Sequence, residues 1–244
     1  LGTTWVHSMY SYKDEGPETA YQNALTIGTD MVSCLFNTDY APVADVWTNP
    51  ANTVIGDRAY SDDFNEAAEL VASAVRGFTD AGVVCCLKHF PGHGDTDTDT
   101  HEGAAIVDKS LDELREGELL PFVSGIEAGA DMVMIGHITV TALDDVPATI
   151  SEAVITSLLR EELGWDGVVI TDSLDMGAMA GYDNGEVCVR FIEAGGDILL
   201  GIPDLEAAVA ALEDAVAEGR LTEQRIDESV MRILTLKIEH GIIM

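Results

Sequence analysis

The sequence has 244 residues, of which 44 are acidic and 12 are basic, so the formal net charge is −32 at pH 7. At long range this charge repels nucleic-acid phosphates and anionic membrane surfaces, which excludes both as partners but leaves neutral substrates unhindered. The length fits one compact domain with a substantial core, and we predict a single domain over residues 1–244. We find no apolar run long enough for a membrane span and no signal-peptide pattern at the start. The sequence does not assign the protein to a cellular compartment.

Short apolar runs alternate with amphipathic helical patterns along the chain. The predicted strands lie at 41–46, 83–87, 132–135, 167–170 and 198–200. The predicted helices lie at 62–79, 111–128, 151–163, 185–194 and 205–218, with further helix starts at Ser151 and Thr222 and stops at Gly219 and Gly241. This alternation predicts the α/β fold class with a parallel sheet, although about five strands are fewer than a closed eight-stranded barrel contains.

The four cysteines are predicted to be small core residues. Cys85 and Cys86 are adjacent in the apolar run VVCCL, whereas Cys34 and Cys188 stand alone. A disulfide framework or a zinc site would need a different spacing.

The segment KHFPGHGDTDTDTH at 88–101 follows a predicted strand and contains three histidines and three aspartates. Sites in parallel α/β domains are built at the carboxyl ends of strands. Histidine and aspartate can bind zinc or manganese, and the same residues can form a solvated acidic loop. The alternation of Asp and Thr lacks the glycine and glutamate of a calcium loop, and Lys88 would place an ammonium beside any cation.

Three further polar groups follow apolar runs. Asp172, after the strand at 167–170, could be a nucleophile, a substrate ligand or a helix cap. Asp45 and Arg58 could bind sugar hydroxyls or form an ordinary salt bridge, and His137 follows the strand at 132–135. No glycine-rich phosphate motif follows any strand, so a nucleotide-dependent function is not expected.

Taken together, these segments resemble glycoside hydrolase family 3, in its bacterial β-N-acetylglucosaminidase branch, from about residue 39 to the C-terminus. KHFPGHGDTDTDTH is similar to the family signature KHFPGHGDT-x-x-D-S-H, with threonine in place of the usual serine. Further blocks are similar in the same order: APVADV, IGDRAYS, MVMIGHI, GVVITDSLDMGAM and RIDESVMRILTLKIEHG. The resemblance implies a (β/α)8 TIM-barrel-like catalytic domain that hydrolyses terminal β-linked N-acetylglucosamine.

The resemblance also implies residue roles. Asp172 would be the nucleophile of a retaining mechanism, and His101 the general acid/base with Asp99 as its partner. A histidine near its ordinary pKa can give and take a proton around neutrality. The implied substrate-binding residues are Asp45, Arg58, Lys88, His89, His137 and Met176. No metal or cofactor is implied, His93 is interpreted as a loop-stabilising residue, and Asp95 and Asp97 as polar loop residues.

Family members usually begin with three strands and a D-x-E-G-G loop, which have no counterpart in this sequence. We therefore expect a barrel that is incomplete at the N-terminus, with a second copy of the chain or a rearranged N-terminus covering the open edge. The alternatives within the family are a β-glucosidase or β-xylosidase, whose branches show Ser-Asp-Trp at the nucleophile, and a phosphorylase. A neutral histidine would not repel incoming phosphate. A sugar-binding protein without turnover is the alternative from another class.

Overall fold

The structure is a computed structural model that describes residues 3–96 and 105–244. The strands are β1 Thr38–Asp39, β2 Val84–Phe90, β3 Ala105–Val107, β4 Met132–Ile135, β5 Ile138–Val140 and β6 Val168–Thr171. The α-helices are α1 Pro17–Ser33, α2 Phe64–Ala81, α3 Leu111–Glu116, α4 Leu120–Glu127, α5 Asn184–Glu193, α6 Leu205–Ala217 and α7 Glu223–Glu239. A π-helix spans Ala153–Glu162, and short 3-10 helices span Met9–Glu15, Gly56–Arg58, Ala148–Ile150 and Gly177–Met179.

The main sheet is parallel and has the strand order β1-β2-β4-β6. A parallel bridge between Ile170 and Ile198 adds the segment at 198 beyond β6, while β3 and β5 form a separate two-stranded parallel sheet. The neighbours thus follow chain order, and the α/β fold class with a parallel sheet is confirmed. The described residues form no closed barrel, as expected of an incomplete one, whereas a second copy at the open edge stays a prediction.

The sheet is buried on both faces because successive strand residues point to opposite sides. One face carries a cluster from three strands: Val84, Cys86, Met132, Met134, Val168 and Ile170. Ile233 and Leu236 of α7 pack against this cluster. The opposite face belongs to the larger core, which includes residues of α2, α4 and the π-helix. Burial on both faces explains why the strands read as continuous apolar runs rather than alternating ones.

The predicted helix at 111–128 is two helices, and this part of the prediction is wrong. Ser110 and Glu113 form a capping box that begins α3, and Gly117 ends it. Pro121 lies in the first turn of α4, where the missing proline N–H breaks no hydrogen bond.

Helix α1 is absent from the sequence prediction. Its buried residues are small and recur every fourth position, at Ala20, Ala24 and Gly28. These residues allow close contact with α2, because a Cβ on Gly28 would lie 2.5 Å from the Cβ of Ala81. A helix face built from small residues carries a weak hydrophobic signal, which explains the omission.

Four free cysteines are present, of which Cys85, Cys86 and Cys188 are buried as predicted. Cys34 lies just after α1 and is only partly covered, so the prediction of a core position is wrong for this residue. None of the described helices is both long enough and apolar enough to cross a lipid bilayer.

Candidate active site

The candidate site lies at the carboxyl ends of the central strands. Strand β2 extends beyond its predicted end and includes Lys88 and His89, while Asp172 directly follows β6. The register of β2 against β4 shifts between Leu87 and Phe90, and such irregularities re-aim side chains near sites. Because parallel strands end at one edge of the sheet, these polar groups meet there.

Asp45 orients His89. The Asp45 side chain is completely buried, and its Oδ2 accepts hydrogen bonds from Nδ1 (2.7 Å) and the backbone N–H (3.1 Å) of His89. Its Oδ1 accepts the backbone N–H of His93 at 2.6 Å. Burial alone would raise the pKa of Asp45, but the charge and hydrogen bond of His89 and the contacts from His93 outweigh it and hold the pKa below its ordinary value.

Asp172 presents a partly accessible carboxylate, with 18% of its side chain exposed. Its Oδ1 accepts the backbone N–H of Ser173 at 2.8 Å, and its own backbone N–H donates to the carbonyl of Ile135 at 2.9 Å. Its Oδ2 lies 3.9 Å from Nε2 of His89, which is within reach of charge attraction but too long for a hydrogen bond. The carboxylate is therefore fixed at one oxygen and directed towards His89 with the other.

Two cations lie together near the end of β2. Lys88 and Arg58 line a cavity of about 330 Å³ together with Asp39. Burial, and then the charge of Arg58, lower the pKa of Lys88, while Asp172 and Asp39 oppose the shift. Burial also raises the pKa of Asp39. The sequence analysis did not identify Asp39 as a site residue. The one feature that could have indicated it is the occurrence of a charged residue within a strand-like stretch.

The loop after β2 is held by buried hydrogen bonds. The amide nitrogen of Asn52 donates to the carbonyl of His93 at 2.7 Å, and Nδ1 of His93 lies 2.7 Å from Oγ1 of Thr96. A Cβ on Gly94 would lie 1.8 Å from the carbonyl oxygen of Val46, so only glycine fits there. These contacts agree with the interpretation of His93 as a loop-stabilising residue.

Asp95 is a polar loop residue, as predicted, and it pairs with a lysine that sequence reasoning missed. Nζ of Lys109 lies 2.9 Å from Oδ2 of Asp95 and also contacts Oε1 of Glu118, a carboxylate that is 2% exposed. Oγ1 of Thr48 donates to Oδ1 of Asp95 at 3.0 Å. The expected acid/base His101 and its partner Asp99 lie outside the described residues, as does Asp97.

His137 and Met176 are buried close to the Asp172 backbone. Nε2 of His137 lies 2.9 Å from the carbonyl oxygen of Ser173, and the backbone N–H of Met176 donates to the same oxygen at 3.2 Å. The structure places Arg58 and Lys88 on the same cavity, whereas His89 is buried, with its Nε2 facing Asp172. Asp45 and His137 are enclosed within the protein.

A larger cavity of about 650 Å³ lies beside α7, at the amino end of β6 rather than at its carboxyl end. Two of its acidic residues are paired, because Asp166 contacts Arg232 at 3.2 Å and Asp131 contacts His240 at 2.8 Å. Within the described ranges, no three His, Cys, Asp or Glu side chains gather as a metal-binding group.

The sequence matches the family described as "Glycosyl hydrolase family 3 N terminal domain" over residues 2–236. It is 36% identical over 250 residues to beta-hexosaminidase A of Pseudoalteromonas piscicida, an alignment that covers 93% of this chain and 42% of the relative. It is 40% identical over 184 residues to a beta-hexosaminidase of Stenotrophomonas maltophilia (strain R551-3), covering 74% of this chain and 54% of the relative. The chain spans about half the length of these curated relatives.

Solved structures of proteins from this family have the same fold. A glycoside hydrolase family 3 beta-N-acetylglucosaminidase from Paenibacillus sp. str. FPU-7 superposes with a TM-score of 0.94 at 42% identity, covering 99% of this chain and 48% of that chain. The beta-glucoside phosphorylase BglX also superposes with a TM-score of 0.94, at 25% identity, covering 99% of this chain and 46% of that chain. The motif resemblance is confirmed, and the chain belongs to glycoside hydrolase family 3.

Proposed function

We propose that the protein is a retaining glycoside hydrolase that removes terminal β-linked N-acetylglucosamine from cell-wall or chitin-type oligosaccharides. One observation carries the proposal: the Asp172 carboxylate is partly accessible, is fixed at Oδ1, and lies 3.9 Å from a histidine that Asp45 orients. The beta-hexosaminidase names of the curated relatives and the beta-N-acetylglucosaminidase among the similar structures support the sugar. Residues 1–244 would act as one catalytic unit.

In the first step, an Asp172 oxygen attacks the anomeric carbon and forms a covalent glycosyl ester. The bond between the anomeric carbon and the glycosidic oxygen breaks, and its electron pair leaves with that oxygen. His101 donates a proton to the departing oxygen and becomes neutral. In the second step, His101 takes a proton from water as the water attacks the anomeric carbon, which releases Asp172 and retains the configuration.

The surrounding residues bind and orient the sugar. Lys88, His89 and Arg58 supply hydrogen-bond donors for its hydroxyl groups, and Met176 provides an apolar contact nearby. Asp45 was expected to contact the sugar, but its carboxylate is fully buried against His89 and His93. We therefore propose that Asp45 orients the His89 ring. In the sequence, Asp99 and His101 come after Asp95 and before Lys109, and the side chains of Asp95 and Lys109 pair with each other.

A phosphorylase is the second candidate, because a beta-glucoside phosphorylase has a closely similar fold. A neutral histidine acid/base would not repel incoming phosphate as a carboxylate would. Release of sugar 1-phosphate that depends on added phosphate would favour this candidate. The Thr171-Asp172-Ser173 stretch differs from the Ser-Asp-Trp of the β-glucosidase and β-xylosidase branches, and a panel of aryl glycosides separates those activities.

The nucleophile is tested by Asp172→Asn, which keeps the shape of the side chain but removes its nucleophilicity. We expect loss of nearly all hydrolysis of an aryl β-N-acetylglucosaminide, with an unchanged melting temperature. Asp166→Asn is the matched control, because Asp166 is almost fully exposed beside α7. An Asp172→Asn variant that keeps more than a few per cent of activity would exclude this residue as the nucleophile. Binding of N-acetylglucosamine without turnover by the unaltered protein would indicate a sugar-binding role instead.

The acid/base is tested by His101→Ala with two classes of leaving group. A nitrophenolate needs no proton, so its release should stay comparatively fast, hydrolysis of the glycosyl-enzyme should become limiting, and KM should fall with kcat. With a sugar or alkyl leaving group, turnover should fall by about 10²- to 10⁴-fold. Azide, which attacks without losing a proton, should rescue only the activated substrate, and Asp99→Asn should give a milder form of the pattern. Equal losses on both substrates without azide rescue would move the acid/base role to another residue.

A further inference from the structure

His137 is a buried side chain with two fixed partners in the described structure. It is 1% exposed, which leaves it unable to offer a hydrogen-bonding edge to a sugar in the open part of the site. Its Nδ1 lies 2.6 Å from Oγ1 of Thr149, and its Nε2 lies 2.9 Å from the carbonyl oxygen of Ser173. A carbonyl oxygen can only accept a hydrogen bond, so Nε2 must carry a proton and donate it.

The Ser173 carbonyl belongs to a peptide group that is held at both of its polar atoms. Its oxygen accepts from His137, while the N–H of the same peptide group, on Leu174, donates to the carbonyl of Leu200 at 2.9 Å. The N–H of Leu200 in turn donates to Oγ1 of Thr171 at 2.9 Å. The loop after β6 is therefore held by hydrogen bonds to the strand ends on both sides of it.

Ser173 connects this fixed peptide group to the catalytic carboxylate. Its own N–H donates to Oδ1 of Asp172 at 2.8 Å, which directs Oδ2 of Asp172 towards His89. A rotation of the Ser173 backbone would move both the carbonyl that His137 holds and the N–H that Asp172 uses. The side chain of Ser173 packs closely against Gly201, where a Cβ would lie 1.8 Å from Oγ of Ser173.

We propose that His137 is a positioning residue for the Asp172 nucleophile, acting through the Ser173 backbone rather than through contact with the sugar. The inference rests on the proposed function, in which Asp172 attacks the anomeric carbon. Rates of such attack are sensitive to placement, since a shift of about 1 Å in a reacting group can cost about 10²-fold. His137 therefore sets the rate of glycosyl-enzyme formation and leaves sugar binding unchanged.

The test measures nucleophilic attack alone, using an N-acetylglucosaminyl fluoride with a second fluorine at C5. Fluoride leaves without a proton, so labelling of Asp172 does not depend on His101, and intact mass reports its rate. We expect the labelling rate constant at saturating reagent to fall about 10²-fold in His137→Leu. His137→Gln should stay within about tenfold of the unaltered protein, because its amide N–H can still donate to Ser173. His240→Leu, which removes a histidine beside α7, should label at the unaltered rate.

Steady-state kinetics separate this role from the others. Poor positioning of the nucleophile slows attack on good and poor leaving groups in similar proportion, unlike His101→Ala, and azide should give no rescue. Thr149→Val removes another contact of His137 and should lower the labelling rate by less than His137→Leu does. This variant carries the test if the leucine variant does not fold.

Four results would overturn the inference. Labelling at the unaltered rate in folded His137→Leu, or in Thr149→Val if the leucine variant does not fold, would show that the contact does not position Asp172. A raised KM with an unchanged labelling rate at saturation would show a sugar contact. Equal losses in the leucine and glutamine variants would exclude the hydrogen bond as the cause. Absence of label on Asp172 of the unaltered protein would overturn the proposed function itself, and this inference with it.

Discussion

Two fully buried aspartates lie at opposite ends of the sheet, and their partners differ in kind. Asp45 lies at the carboxyl ends of the strands, where His89 and two backbone N–H groups contact it. Asp197 lies at the amino end of the last strand segment, where arginines surround it. Both carboxylates are inaccessible, so the chemistry of their partners sets their roles.

The partners of Asp197 keep their charge at every ordinary pH. Arg160 contacts Oδ2 at 2.8 Å, while Arg232 lies 3.3 Å from Oδ1 and Ser229 donates to Oδ1 at 2.7 Å. Arginine is always protonated, and its planar donors also reach backbone carbonyls, including that of Gly195. The cluster therefore joins α7 and the π-helix to the sheet with a constant charge.

The side-chain partner of Asp45 is a histidine rather than an arginine. The Nε2 of His89 faces Asp172 at 3.9 Å rather than a permanent partner. Asp45 thus orients a ring that faces the candidate site. We therefore expect Asp197 to support the fold and Asp45 to support the proposed chemistry.

The largest expected effect comes from Asp45→Asn. An amide keeps the size of the side chain but can donate to Nδ1 of His89, which selects the wrong tautomer of the ring. We expect kcat to fall, but by less than the about 10⁴-fold lost when the buried aspartate behind a proton-transferring histidine becomes asparagine, because His89 binds the sugar and transfers no proton. Substrate hydrolysis and chemical unfolding, measured together, check the prediction. A stability loss with an unchanged kcat for the folded fraction would place Asp45 in the structural class of Asp197.

Asp197→Asn should have the opposite profile. The change leaves buried arginines without their counter-charge, which costs about 3 kcal/mol of unfolding free energy when a buried pair is broken. The kcat of the folded fraction should stay unchanged, because no contact of Asp197 reaches the carboxyl ends of the strands. Urea unfolding and initial rates at low temperature measure the two quantities. A large loss of kcat without a loss of stability would contradict the comparison.

The difference between these regions also marks the limits of sequence prediction. Lys88, His89 and Asp172 could be predicted because each ends or follows an apolar run that forms a strand. The Asp197 cluster had no such signal, since Arg160 and Arg232 come from separate helices and meet only in the folded chain. Strands β3 and β5 were not predicted for a related reason. Each has only three residues, which is too short for a strand pattern to be recognised in the sequence.

Lys109→Met sharpens the comparison with an intermediate case. Lys109 pairs with the buried Glu118 and with the partly exposed Asp95, and these carboxylates raise the pKa of Lys109 against the opposing effect of burial. Because the lysine is a quarter exposed, solvent screens part of the interaction, and we expect a loss of about 1–2 kcal/mol in unfolding free energy. Lys237→Met on the exposed side of α7 is the control. A loss no greater than that of the control would show that Glu118 is stable in its buried position without the cation.

The smallest effect concerns the pH dependence of stability at His93. Burial disfavours the charged ring and lowers the pKa of His93, with Asp45 opposing the shift and His89 reinforcing it. Below the ordinary histidine pKa of about 6.5, the unfolded chain takes up a proton that the folded chain does not, so the unfolding free energy falls as the pH drops. One proton can contribute at most about 1.4 kcal/mol per pH unit.

His93→Asn should reduce this dependence, because an amide does not titrate. The measurement is the unfolding free energy of both proteins at pH 7.5 and pH 5.5, compared as a difference of differences so that the other titrating groups cancel. Asn at this position can still form a hydrogen bond with Thr96, which limits the loss at pH 7.5. We expect the unaltered protein to lose more stability between the two pH values than the variant does. Equal losses would mean that His93 titrates alike in the folded and unfolded chains.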